Sequence, residues 1–478
     1  MATNRVGDID VRLTWRSLSF GGRPVNRAAN FTGYIVLDSQ NVAIVGLGYV
    51  GLTLAVAMAQ RGMTVFGIER RDDVVALTNA GTPHFSEEGL GDVLAALVER
   101  GQLRAATSFA DIPACDSYII TVGTPLDANG VPRLDMVRHA ANEVAAHMRD
   151  DALVVLRSTV QIGTTREVVA RVLEASGKRA FVAMCPERTL EGDALREIGS
   201  LPQIVGGLDE EAAARAGALF GALTSSVVRV STPEAAEMIK LVDNTFRDVR
   251  FAFANEVARA CDAIGINAVE VIGSGKLGYV RTNVALPGLV GGPCLEKDPH
   301  ILRHSLRLRG VDLEITGAAR LVNERQPEET VRQAFALFER RAGRRPVRVA
   351  LAGLAFKGVP ETDDLRGSMA LAVIKAIRGE GYAAPLAVFD PAVSDANIRA
   401  LDLGLVPTAS LTDAALDADI MLVTNNHPAY RRTTFEHIVA RLAPDGFVYD
   451  YWNHFGHESA AVLKQRYFTV GGLVGWGA

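Results

Sequence analysis

A glycine-rich turn, Gly46-Leu-Gly48-Tyr-Val-Gly51, lies between a short apolar run and an apolar helical stretch. In a G-x-G-x-x-G turn of this kind, the first glycine allows the tight turn and the second lets the backbone approach a pyrophosphate. The third glycine lets the helix pack closely on the strand, and the helix N-terminus offers free N–H groups to the phosphates. The predicted dinucleotide contacts come from Gly46, Gly48, Tyr49, Val50 and Gly51.

A carboxylate near the end of the next apolar run indicates which dinucleotide is bound. Glu69 follows Gly51 by 18 residues, where a carboxylate accepts hydrogen bonds from the ribose hydroxyls of NAD. Arg70 and Arg71 come directly after it, and an arginine in this position can instead favour the 2′-phosphate of NADP. We expect NAD as the cofactor.

The size and charge of the chain exclude several classes of protein. Its 478 residues predict two or three domains, and a net charge of −5 argues against a basic nucleic-acid surface. No apolar run reaches the roughly 20 residues of a membrane-spanning helix, and charged residues interrupt the N-terminus where a signal peptide needs an apolar core. We expect a cytoplasmic protein that binds neither nucleic acid nor a membrane.

Strand-like and helical segments alternate along the chain in two blocks. Apolar runs over 41–45, 64–68, 117–122, 152–156 and 180–184 form the first block, and runs over 347–352, 386–390, 420–424 and 447–451 form the second. This alternation predicts an α/β fold with two Rossmann-like, doubly wound parallel-sheet domains. The blocks are similar in layout but share no fixed sequence period, so we predict no internal repeat.

A long helix is predicted between the two blocks. Residues 234–264 contain neither proline nor glycine, and a helix of this length usually bridges domains or builds a dimer interface. Lys240, Asn244, Arg247 with Asp248, and Asn255 form a polar line on its mainly apolar surface. Such a line indicates either partnered buried groups or the wall of a site.

Hydroxyl side chains follow two of the predicted strands. They occur in Thr121-Val-Gly-Thr-Pro125 and in Arg157-Ser-Thr-Val160. Ligands bind at the carboxyl edge of an open parallel sheet, so these hydroxyls can contact cofactor or substrate. Serine and threonine after a strand also serve as simple helix caps, which is the alternative interpretation.

Four widely spaced cysteines, without a C-x-x-C pair, are typical of a reducing compartment and exclude a disulfide scaffold or a Cys-rich zinc site. We therefore expect no metal. Cys294 differs from the others because glycines precede it and Lys297 and Asp298 follow it. A reactive thiol needs access and a cationic or helix N-terminal environment, and this context favours a nucleophile over a buried small apolar residue.

Taken in order, the motifs resemble those of the UDP-sugar 6-dehydrogenases, which oxidise a nucleotide sugar by four electrons to a UDP-uronic acid. The resemblance covers residues 41 to 455, nearly the whole chain after the N-terminal segment. Its motifs are Gly46-Leu-Gly-Tyr-Val-Gly-Leu52, Gly123-Thr-Pro125, Ser158-Thr-Val160, Cys185-Pro-Glu-Arg188 with Glu191-Gly192, Lys240 with Asn244, Val290-Gly-Gly-Pro-Cys-Leu-Glu-Lys-Asp298, and Ala355-Phe-Lys357 with Asp364-Leu-Arg-Gly-Ser368.

The resemblance implies a domain organisation. Residues 1–39 are polar and irregular, and we expect them to form a flexible extension. An NAD-binding Rossmann domain would then cover 40–230, and a central helical dimerisation domain with the cysteine would cover 231–330. A UDP-sugar-binding α/β domain would cover 331–478, and the long helix would build a homodimer.

The resemblance also implies roles for individual residues. Cys294 would hold the sugar aldehyde as a nucleophile, and Glu187 would be the base for hydrolysis. The implied catalytic residues are Cys294, Lys240, Asp298, Asn244, Thr159 and Glu187. Beyond the glycine-rich turn and Glu69, the implied cofactor contacts are Thr124, Thr159, Glu191 and Arg366. The implied substrate contacts are Glu187, Arg188, Lys240, Asn244, Gly291, Lys357 and Arg281, of which the last would reach the site of a neighbouring subunit.

Details of the motifs point to the sugar. Cys185-Pro-Glu-Arg188, the Val-Gly-Gly before Cys294 and Pro299 after Asp298 resemble the branch that oxidises UDP-N-acetylmannosamine or UDP-N-acetylglucosamine, a source of polysaccharide precursors. Lys297-Asp298 also fits enzymes that oxidise UDP-glucose, which stays an alternative. Asp450-Tyr-Trp-Asn453 lacks the arginine that often follows this aspartate in the family.

Two other functions stay open on the sequence. A two-electron β-hydroxyacid-type dehydrogenase shares the Rossmann domain and the long helix, but it needs neither Cys294 nor a second α/β domain. A catalytically silent protein that senses NAD or a nucleotide is the other alternative, and the set of Lys240, Cys294 and Asp298 argues against it.

Overall fold

The computed structural model of the protein describes residues 40–457 and 465–472, so the extension predicted over 1–39 lies outside the described residues. The chain divides into two compact units, and the division falls between Lys240 and Leu241, inside the longest helix. Each unit has its own apolar cores. Among the described residues, no helix combines the length and the apolar character that a bilayer crossing requires.

An eight-stranded sheet forms the centre of the first unit. Its strands are β1 (Asn41–Val45), β2 (Thr64–Ile68), β3 (Leu103–Ala106), β4 (Ser117–Ile120), β5 (Ala152–Leu156), β6 (Ala180–Met184), β7 (Gln203–Gly207) and β8 (Val227–Arg229). The order across the sheet is β3-β2-β1-β4-β5-β6-β7-β8, and all neighbours are parallel except β6 and β7. Alternate residues of the central strands enter separate cores on the two faces, which explains why these strands are apolar throughout.

Helices cover both faces of this sheet. They are α1 (Tyr49–Gln60), α2 (Asp72–Asn79), α3 (Leu90–Glu99), α4 (Asp135–His147), α5 (Arg171–Ala175), α6 (Ala194–Ser200) and α7 (Glu210–Gly221), with a 3₁₀ turn at Phe109–Asp111. The four strands β1, β2, β5 and β6 have the bounds predicted from the sequence. Residues Thr165–Ala170, directly before α5, form a π-helix.

Helix α8 (Pro233–Ile264) runs through the boundary between the units and confirms the predicted long helix. Gly265 follows it with φ of +73°, a left-handed conformation that glycine adopts without strain and that ends the helix. Near its start, the buried Glu237 accepts hydrogen bonds from the Gly163 N–H and from the N–H and hydroxyl of Thr165. This carboxylate therefore ties α8 to the first turn of the π-helix.

The second unit continues with helices and then a six-stranded sheet. The helices are α9 (Ala268–Lys276), α10 (Gly292–Leu295), α11 (Asp298–Arg307), α12 (Glu314–Ala342), α13 (Met369–Gly379), α14 (Asp395–Ala400), α15 (Leu411–Ala414) and α16 (Phe435–Val439), with a 3₁₀ turn at Pro428–Arg432. The strands are β9 (Val349–Ala352), β10 (Leu386–Phe389), β11 (Leu405–Pro407), β12 (Ile420–Val423), β13 (Phe447–Asp450) and β14 (Tyr467–Thr469). All are parallel, in the order β11-β10-β9-β12-β13-β14.

The two sheets repeat one strand order. In the first six positions of each sheet, strands follow the order third-second-first-fourth-fifth-sixth, which is the doubly wound order that binds nucleotides. The register also matches, because Val45 pairs with Ile68 and Ala352 pairs with Phe389 at the ends of the corresponding strands. The prediction of two Rossmann-like, parallel-sheet α/β domains joined by a long helix is confirmed.

Candidate active site

The glycine-rich turn has the geometry that a dinucleotide requires. Gly46 has φ of +95°, and a Cβ atom on Gly51 would lie 1.8 Å from the Gly46 carbonyl oxygen, so the turn and α1 pack closely. Gly48, by contrast, has no atom within 4 Å of the position of a Cβ, and it stands at the N-terminus of α1 without a side-chain cap. The backbone is thus open to a pyrophosphate at the point where the helix N–H groups are free.

Glu69 stands at the end of β2, beside this turn. Its carboxylate accepts from the Leu47 N–H at 3.0 Å and from the Arg71 N–H at 3.1 Å. The guanidinium of Arg71 binds Asp73 through two hydrogen bonds and lowers the pKa of that carboxyl, while Arg70 is exposed. We call the glycine-rich turn together with Glu69 the nucleotide corner of this sheet. Because Arg71 is bound to Asp73 and Glu69 borders the turn, this corner fits the ribose of NAD.

The second unit repeats this corner with other side chains. Gly353 follows β9 with φ of +104°, and the N–H groups of Leu354 and Ala355 donate to Asp390 at the end of β10, at 2.5 and 3.0 Å. Ala355, which is buried, occupies the position that corresponds to the open Gly48. No helix begins directly after this turn, and Lys357 brings a positive charge instead. This corner therefore lacks the open helix N-terminus of a dinucleotide site.

Tyr49 is part of a buried network. Its hydroxyl donates to Glu87, and the Gly192 N–H donates to both groups, at 2.7 Å to the hydroxyl and 2.8 Å to the carboxylate. Ala194 N–H donates to the other oxygen of Glu87 at 2.7 Å. Burial, and then the contact with Glu87, raise the pKa of the Tyr49 hydroxyl far above its usual value. The network fixes the loop that carries Glu191 to the first turn of α1.

The hydroxyl groups at the strand ends bind neighbouring loops. The Thr124 hydroxyl donates to the Thr159 carbonyl oxygen at 2.5 Å, and the Ser158 hydroxyl donates to the Val122 carbonyl oxygen at 2.6 Å. These two hydroxyls therefore join the loops after β4 and β5, and neither of them caps a helix. Thr159 itself is half-buried, so its side chain stays a candidate for contacts with a ligand.

Glu187 is held by several donors. Nε and Nη2 of Arg157 donate to one of its oxygens at 3.0 and 2.5 Å, and the N–H groups of Arg188 and Thr189 donate to the other at 2.7 and 2.8 Å. Arg157 is itself buried and also donates to Gln203 at 2.9 Å. Nothing in the sequence indicates this pair beyond the position of Arg157 at a strand end.

The ionisation of Glu187 follows from these contacts. Burial alone would raise its pKa, but the charge of Arg157, the Thr189 N–H and the charge of Lys240 outweigh burial and hold the pKa below its usual value. Glu187 is therefore ionised at neutral pH and is a weaker proton acceptor than a free carboxylate.

Cys294 differs from the other cysteines in accessibility. Cys115, Cys185 and Cys261 are buried, whereas Cys294 is half-exposed in the one-turn helix α10. Burial raises the pKa of Cys115 and of Cys185 to about 12, and it raises the pKa of Cys261 as well. The thiolate is the reactive form, so these three thiols are inert by environment.

Asp298 lies four residues after Cys294, at the first position of α11, and its side chain is fully buried. One oxygen accepts from Asn244 Nδ2 at 2.6 Å, and the other accepts from Lys297 Nζ at 3.0 Å. The structure thus brings together two residues of the predicted catalytic set. Asn244 comes from α8, and Asp298 comes from residues 288–298 around Cys294, which we call the cysteine segment.

The cysteine segment packs on the loop between β9 and α13. The Gly292 N–H donates to the Gly367 carbonyl oxygen at 2.7 Å, and Gly292 has φ of +91°. A Cβ on Gly291 would lie 2.5 Å from that same oxygen, and a Cβ on Gly292 would lie 2.5 Å from the ring of Phe356. Lys357 Nζ lies 5.2 Å from the centroid of this ring. Gly291 and Lys357 are both predicted to contact the substrate. Gly291 belongs to the cysteine segment, and Lys357 lies beside it.

Other predicted site residues are exposed. Arg366 lies on the same loop and binds Asp364 through Nε and Nη2, at 2.5 to 3.0 Å. Arg281 is exposed, with its guanidinium 5.0 Å from the ring centroid of Tyr279. Arg188 is also exposed.

The predicted catalytic residues divide between the two units. Thr159, Glu187 and Lys240 belong to the first unit, and Asn244, Cys294 and Asp298 belong to the second. Within the described ranges, no group of three or more His, Cys, Asp or Glu side chains is arranged to hold a metal ion.

Three family descriptions match the chain in succession. They are the NAD binding domain of the UDP-glucose/GDP-mannose dehydrogenase family over residues 40–224, its central domain over 234–325 and its UDP binding domain over 350–457. A UDP-N-acetyl-D-mannosamine dehydrogenase of Pyrococcus horikoshii is 33% identical over 405 residues, which cover 83% of this chain and 92% of that protein.

Two solved structures are similar over most of the chain. The UDP-D-ManNAc dehydrogenase from Pyrococcus horikoshii has a TM-score of 0.81 and 29% identity, covering 91% of this chain and 100% of that chain. The UDP-glucose dehydrogenase from the archaeon Pyrobaculum islandicum has a TM-score of 0.78 and 28% identity, covering 91% and 98%. Similarity of fold is thus nearly equal for proteins that are named for different sugars.

Proposed function

The chain belongs to the UDP-glucose/GDP-mannose dehydrogenase family, and on this premise we propose that it oxidises C6 of a UDP-N-acetylhexosamine to a carboxylate. The enzyme is an NAD-dependent UDP-sugar dehydrogenase. The proposed sugar is N-acetylmannosamine or N-acetylglucosamine, and the product would be a UDP-uronic acid for polysaccharide synthesis. The motifs at 185–188 and 290–299 support this choice, as does the curated relative from Pyrococcus horikoshii.

One observation carries the proposal for the chemistry. Cys294 is the half-exposed cysteine of the chain, in a segment that also contains the buried Asp298 and packs beside Lys357. A thiol in this position explains how one enzyme oxidises the same carbon twice, because an aldehyde has no hydride to lose until a nucleophile adds to it. NAD, when bound, accepts one hydride, so two NAD molecules bound in turn would take the two hydrides.

In the first step of the proposed reaction, the C6 hydroxyl loses its proton to water and C6 loses a hydride, which gives an aldehyde. The Cys294 thiolate then forms a C–S bond to C6, and the alkoxide oxygen takes a proton. Loss of a second hydride from C6, together with the hydroxyl proton of this thiohemiacetal, gives a thioester. Water then breaks the C–S bond and releases the carboxylate and the thiol, so that two hydrides leave for each sugar.

The remaining catalytic residues have proposed roles around this thiol. Lys240 and Asn244 would stabilise the oxyanion of the tetrahedral species, and Asp298, held by Asn244, would orient the attacking water. Thr159 would bind that water, and Glu187 is the proposed base for hydrolysis. The low pKa of Glu187 supports an ionised acceptor but a weak one.

Contacts with the two nucleotides are proposed from the two corners. NAD would be bound by the glycine-rich turn with Glu69, and also by Thr124, Glu191 and Arg366. The UDP-sugar would be bound by the substrate residues of the second unit, Gly291 and Lys357, and by Arg188. Domain bounds of 40–230, 231–330 and 331–478 are proposed as well, and the three family matches support them.

We also propose a homodimer built on α8. Val242, Phe246 and Phe253 are exposed by 41, 61 and 54%, and their spacing of four and seven residues places them on one face of the helix. Such an apolar face is typical of an interface. Arg281, in a neighbouring exposed segment, would then reach the partner's site. Replacing Phe246 and Phe253 with aspartate should give monomers in light scattering, and a dimer of unchanged mass would refute this interface.

The oxidation is tested by incubating the protein with NAD and UDP-N-acetylmannosamine, UDP-N-acetylglucosamine or UDP-glucose in turn. We expect two NADH per sugar with one of the N-acetyl sugars, and one NADH with Cys294→Ser. Cys261→Ser, a matched change at a buried thiol, should keep the ratio at two. One NADH in the unmodified enzyme would favour a two-electron dehydrogenase, and turnover of UDP-glucose alone would overturn the choice of sugar.

None of the four cysteines, all of which lie in the described part of the chain, forms a disulfide in the structure, which also supports a cytoplasmic location, because a reducing compartment keeps thiols reduced. A fusion to a compartment-specific reporter would test this location directly.

A further inference from the structure

Side chains outside the proposed chemistry hold the cysteine segment on both sides of the thiol. Gly288, six residues before Cys294, exchanges two hydrogen bonds with Asn255 of α8, from Asn255 Nδ2 to its carbonyl oxygen at 3.1 Å and from its N–H to Asn255 Oδ1 at 2.9 Å. On the other side, the carbonyl oxygen of Leu295 accepts from Arg320 Nη1 of α12 at 2.9 Å. The backbone is therefore fixed before and after the thiol.

The two holding side chains belong to one buried network. Arg320 also donates to Asp248 at 2.6 Å, and Asn323 donates to the same oxygen of Asp248 at 2.9 Å. Asn255 Nδ2 donates to Asn323 Oδ1 at 3.1 Å, which closes the connection between α8 and α12. Asp248, Asn255 and Asn323 are 0% exposed and Arg320 is 2% exposed. This network accounts for two members of the polar line on α8, which are partnered buried groups.

A buried ion pair is a weak way to stabilise two packed helices, because desolvation of the charges offsets most of their attraction. What such a network adds is a fixed geometry, since each member has few positions that satisfy its hydrogen bonds. Here two donors of the network, Arg320 Nη1 and Asn255 Nδ2, also donate to the backbone of the cysteine segment. The network therefore has a geometric purpose that apolar side chains could not supply.

We propose that Arg320 and Asn255 are positioning residues for Cys294, which hold residues 288–295 so that the thiol meets the sugar aldehyde at one place. The proposal rests on the proposed function of Cys294. Arginine is required at position 320 because Nη1 donates to both Asp248 and Leu295 while Nε, on the other side of the guanidinium, donates to Glu324 at 3.3 Å. A lysine keeps the charge beside Asp248 but is a shorter point donor without the planar fork.

Arg320→Lys keeps the positive charge beside Asp248 but loses the hydrogen-bond geometry of the guanidinium, so it separates the effect of the charge from the effect of the hydrogen bonds. The matched control is Arg332→Lys on the same helix, where the arginine is exposed and paired with Glu328. In single turnovers with UDP-N-acetylmannosamine, the first NADH needs no thiol and the second does. We expect Arg320→Lys to leave the first NADH within about twofold of the unmodified enzyme and to slow the second by about tenfold or more. The control should change neither.

A second measurement needs no sugar. The other three thiols are buried, so the rate of alkylation by iodoacetamide, with the modified peptide identified by mass spectrometry, reports on Cys294. A loosened segment should expose the thiol and raise this rate by about threefold or more in Arg320→Lys, and not in Arg332→Lys. If Arg320→Lys lowers the unfolding temperature strongly, Asn255→Ser frees the other side of the segment without touching the ion pair and should give the same two results.

Two outcomes would overturn the positioning role. One is equal slowing of both NADH phases in Arg320→Lys, which is the signature of general destabilisation, and the other is an unchanged alkylation rate. Failure of the proposed function has a different signature, because the unmodified enzyme would then form one NADH or none, whatever residue stands at position 320.

Discussion

Asn244 Nδ2 lies 2.6 Å from Asp298 Oδ2, and both side chains are buried within the second unit. The carboxylate stands at the first position of α11, where the positive end of the helix dipole favours a negative charge. Its second oxygen accepts from Lys297. Three features therefore hold this carboxylate in place within the cysteine segment, and each can be changed separately.

Asn244→Asp would place two carboxyl groups at hydrogen-bond distance. Two such groups cannot both ionise, so they share a proton and the pKa of the pair rises above the ordinary value of about 4. A raised folded pKa means that stability is retained at low pH and lost as pH rises from about 4 through the raised value, by up to about 1.4 kcal/mol per pH unit. Denaturant unfolding between about pH 4 and pH 8 measures this slope. Asn244→Ala should lose a constant amount, and equal slopes for both variants would contradict the prediction.

Two substitutions in the glycine-rich turn should separate an effect on NAD affinity from an effect on folding stability. Gly48→Ala places a Cβ in open space, so the unfolding temperature should stay unchanged while the affinity for NAD falls by about tenfold or more, because the pyrophosphate and the methyl group compete for that space. Gly51→Ala forces a contact of 1.8 Å with backbone, so it should lower stability by about 1–3 kcal/mol or more. Thermal unfolding and NAD titration are the two measurements. Equal loss of stability in both variants would refute this assignment.

Tyr49→Phe should weaken NAD binding through the loop that carries Glu191. The change removes the hydroxyl between Glu87 and the Gly192 N–H, at a cost of about 1–2 kcal/mol in stability. Tyr118→Phe is the control, because its buried hydroxyl contacts Cys115 N–H in the same unit and offers a similar loss. We expect NAD titrations to show a severalfold weaker complex for Tyr49→Phe alone. A comparable effect of both changes would reduce the network to a structural role.

Glu187→Gln should show how much the ion pair with Arg157 contributes to the free energy of unfolding. The folded pKa of Glu187 is lowered, so its contribution to stability is present above the ordinary pKa of about 4.5 and is lost as pH falls through the lower folded value. Glutamine leaves Arg157 buried without a counter-charge, which should cost about 3–5 kcal/mol near neutral pH and progressively less in acid. Urea unfolding at several pH values tests this, with the exposed Glu167→Gln as control. A difference that does not depend on pH would contradict it.

Much of the fold could be predicted because its signals are local. Parallel strands covered on both faces are continuous apolar runs, and β1, β2, β5 and β6 were found with their observed bounds. The antiparallel strand β7 was not predicted, since Gln203–Gly207 contains two glycines and lacks such a run. The edge strands β8 and β11 were not predicted either, because each spans only three residues.

Side chains whose partners are distant in sequence could not be predicted. Glu87 accepts hydrogen bonds from Tyr49 and from Gly192 and Ala194, the last two more than 100 residues away, and nothing near it in the sequence distinguishes it from Glu88. Arg157 was visible only as part of a strand end, and its contact with Glu187 required the folded sheet. The family resemblance supplied the proposed catalytic residues, but it carried no information on what holds them.

The repeated corner was visible in the sequence but was missed by a search for a fixed period. Val42-Ala-Ile-Val-Gly-Leu-Gly-Tyr-Val-Gly51 and Val349-Ala-Leu-Ala-Gly-Leu-Ala-Phe-Lys-Gly358 are identical at five of ten positions. Only one such copy exists in each block, so no regular spacing marks it. The structure identifies it because β1 and β9 take the same place and register in their sheets.

This duplication sets a problem for the folding of the chain. Strands β1 and β9 are similar short apolar runs that pair with parallel neighbours in the same register, so each can compete for the other's place in an unfinished sheet. Synthesis on the ribosome completes the first sheet before β9 emerges and so removes the competition, whereas dilution from denaturant presents both strands at once. An enzyme assembled from two similar sheets is thereby easier to make in order than to refold.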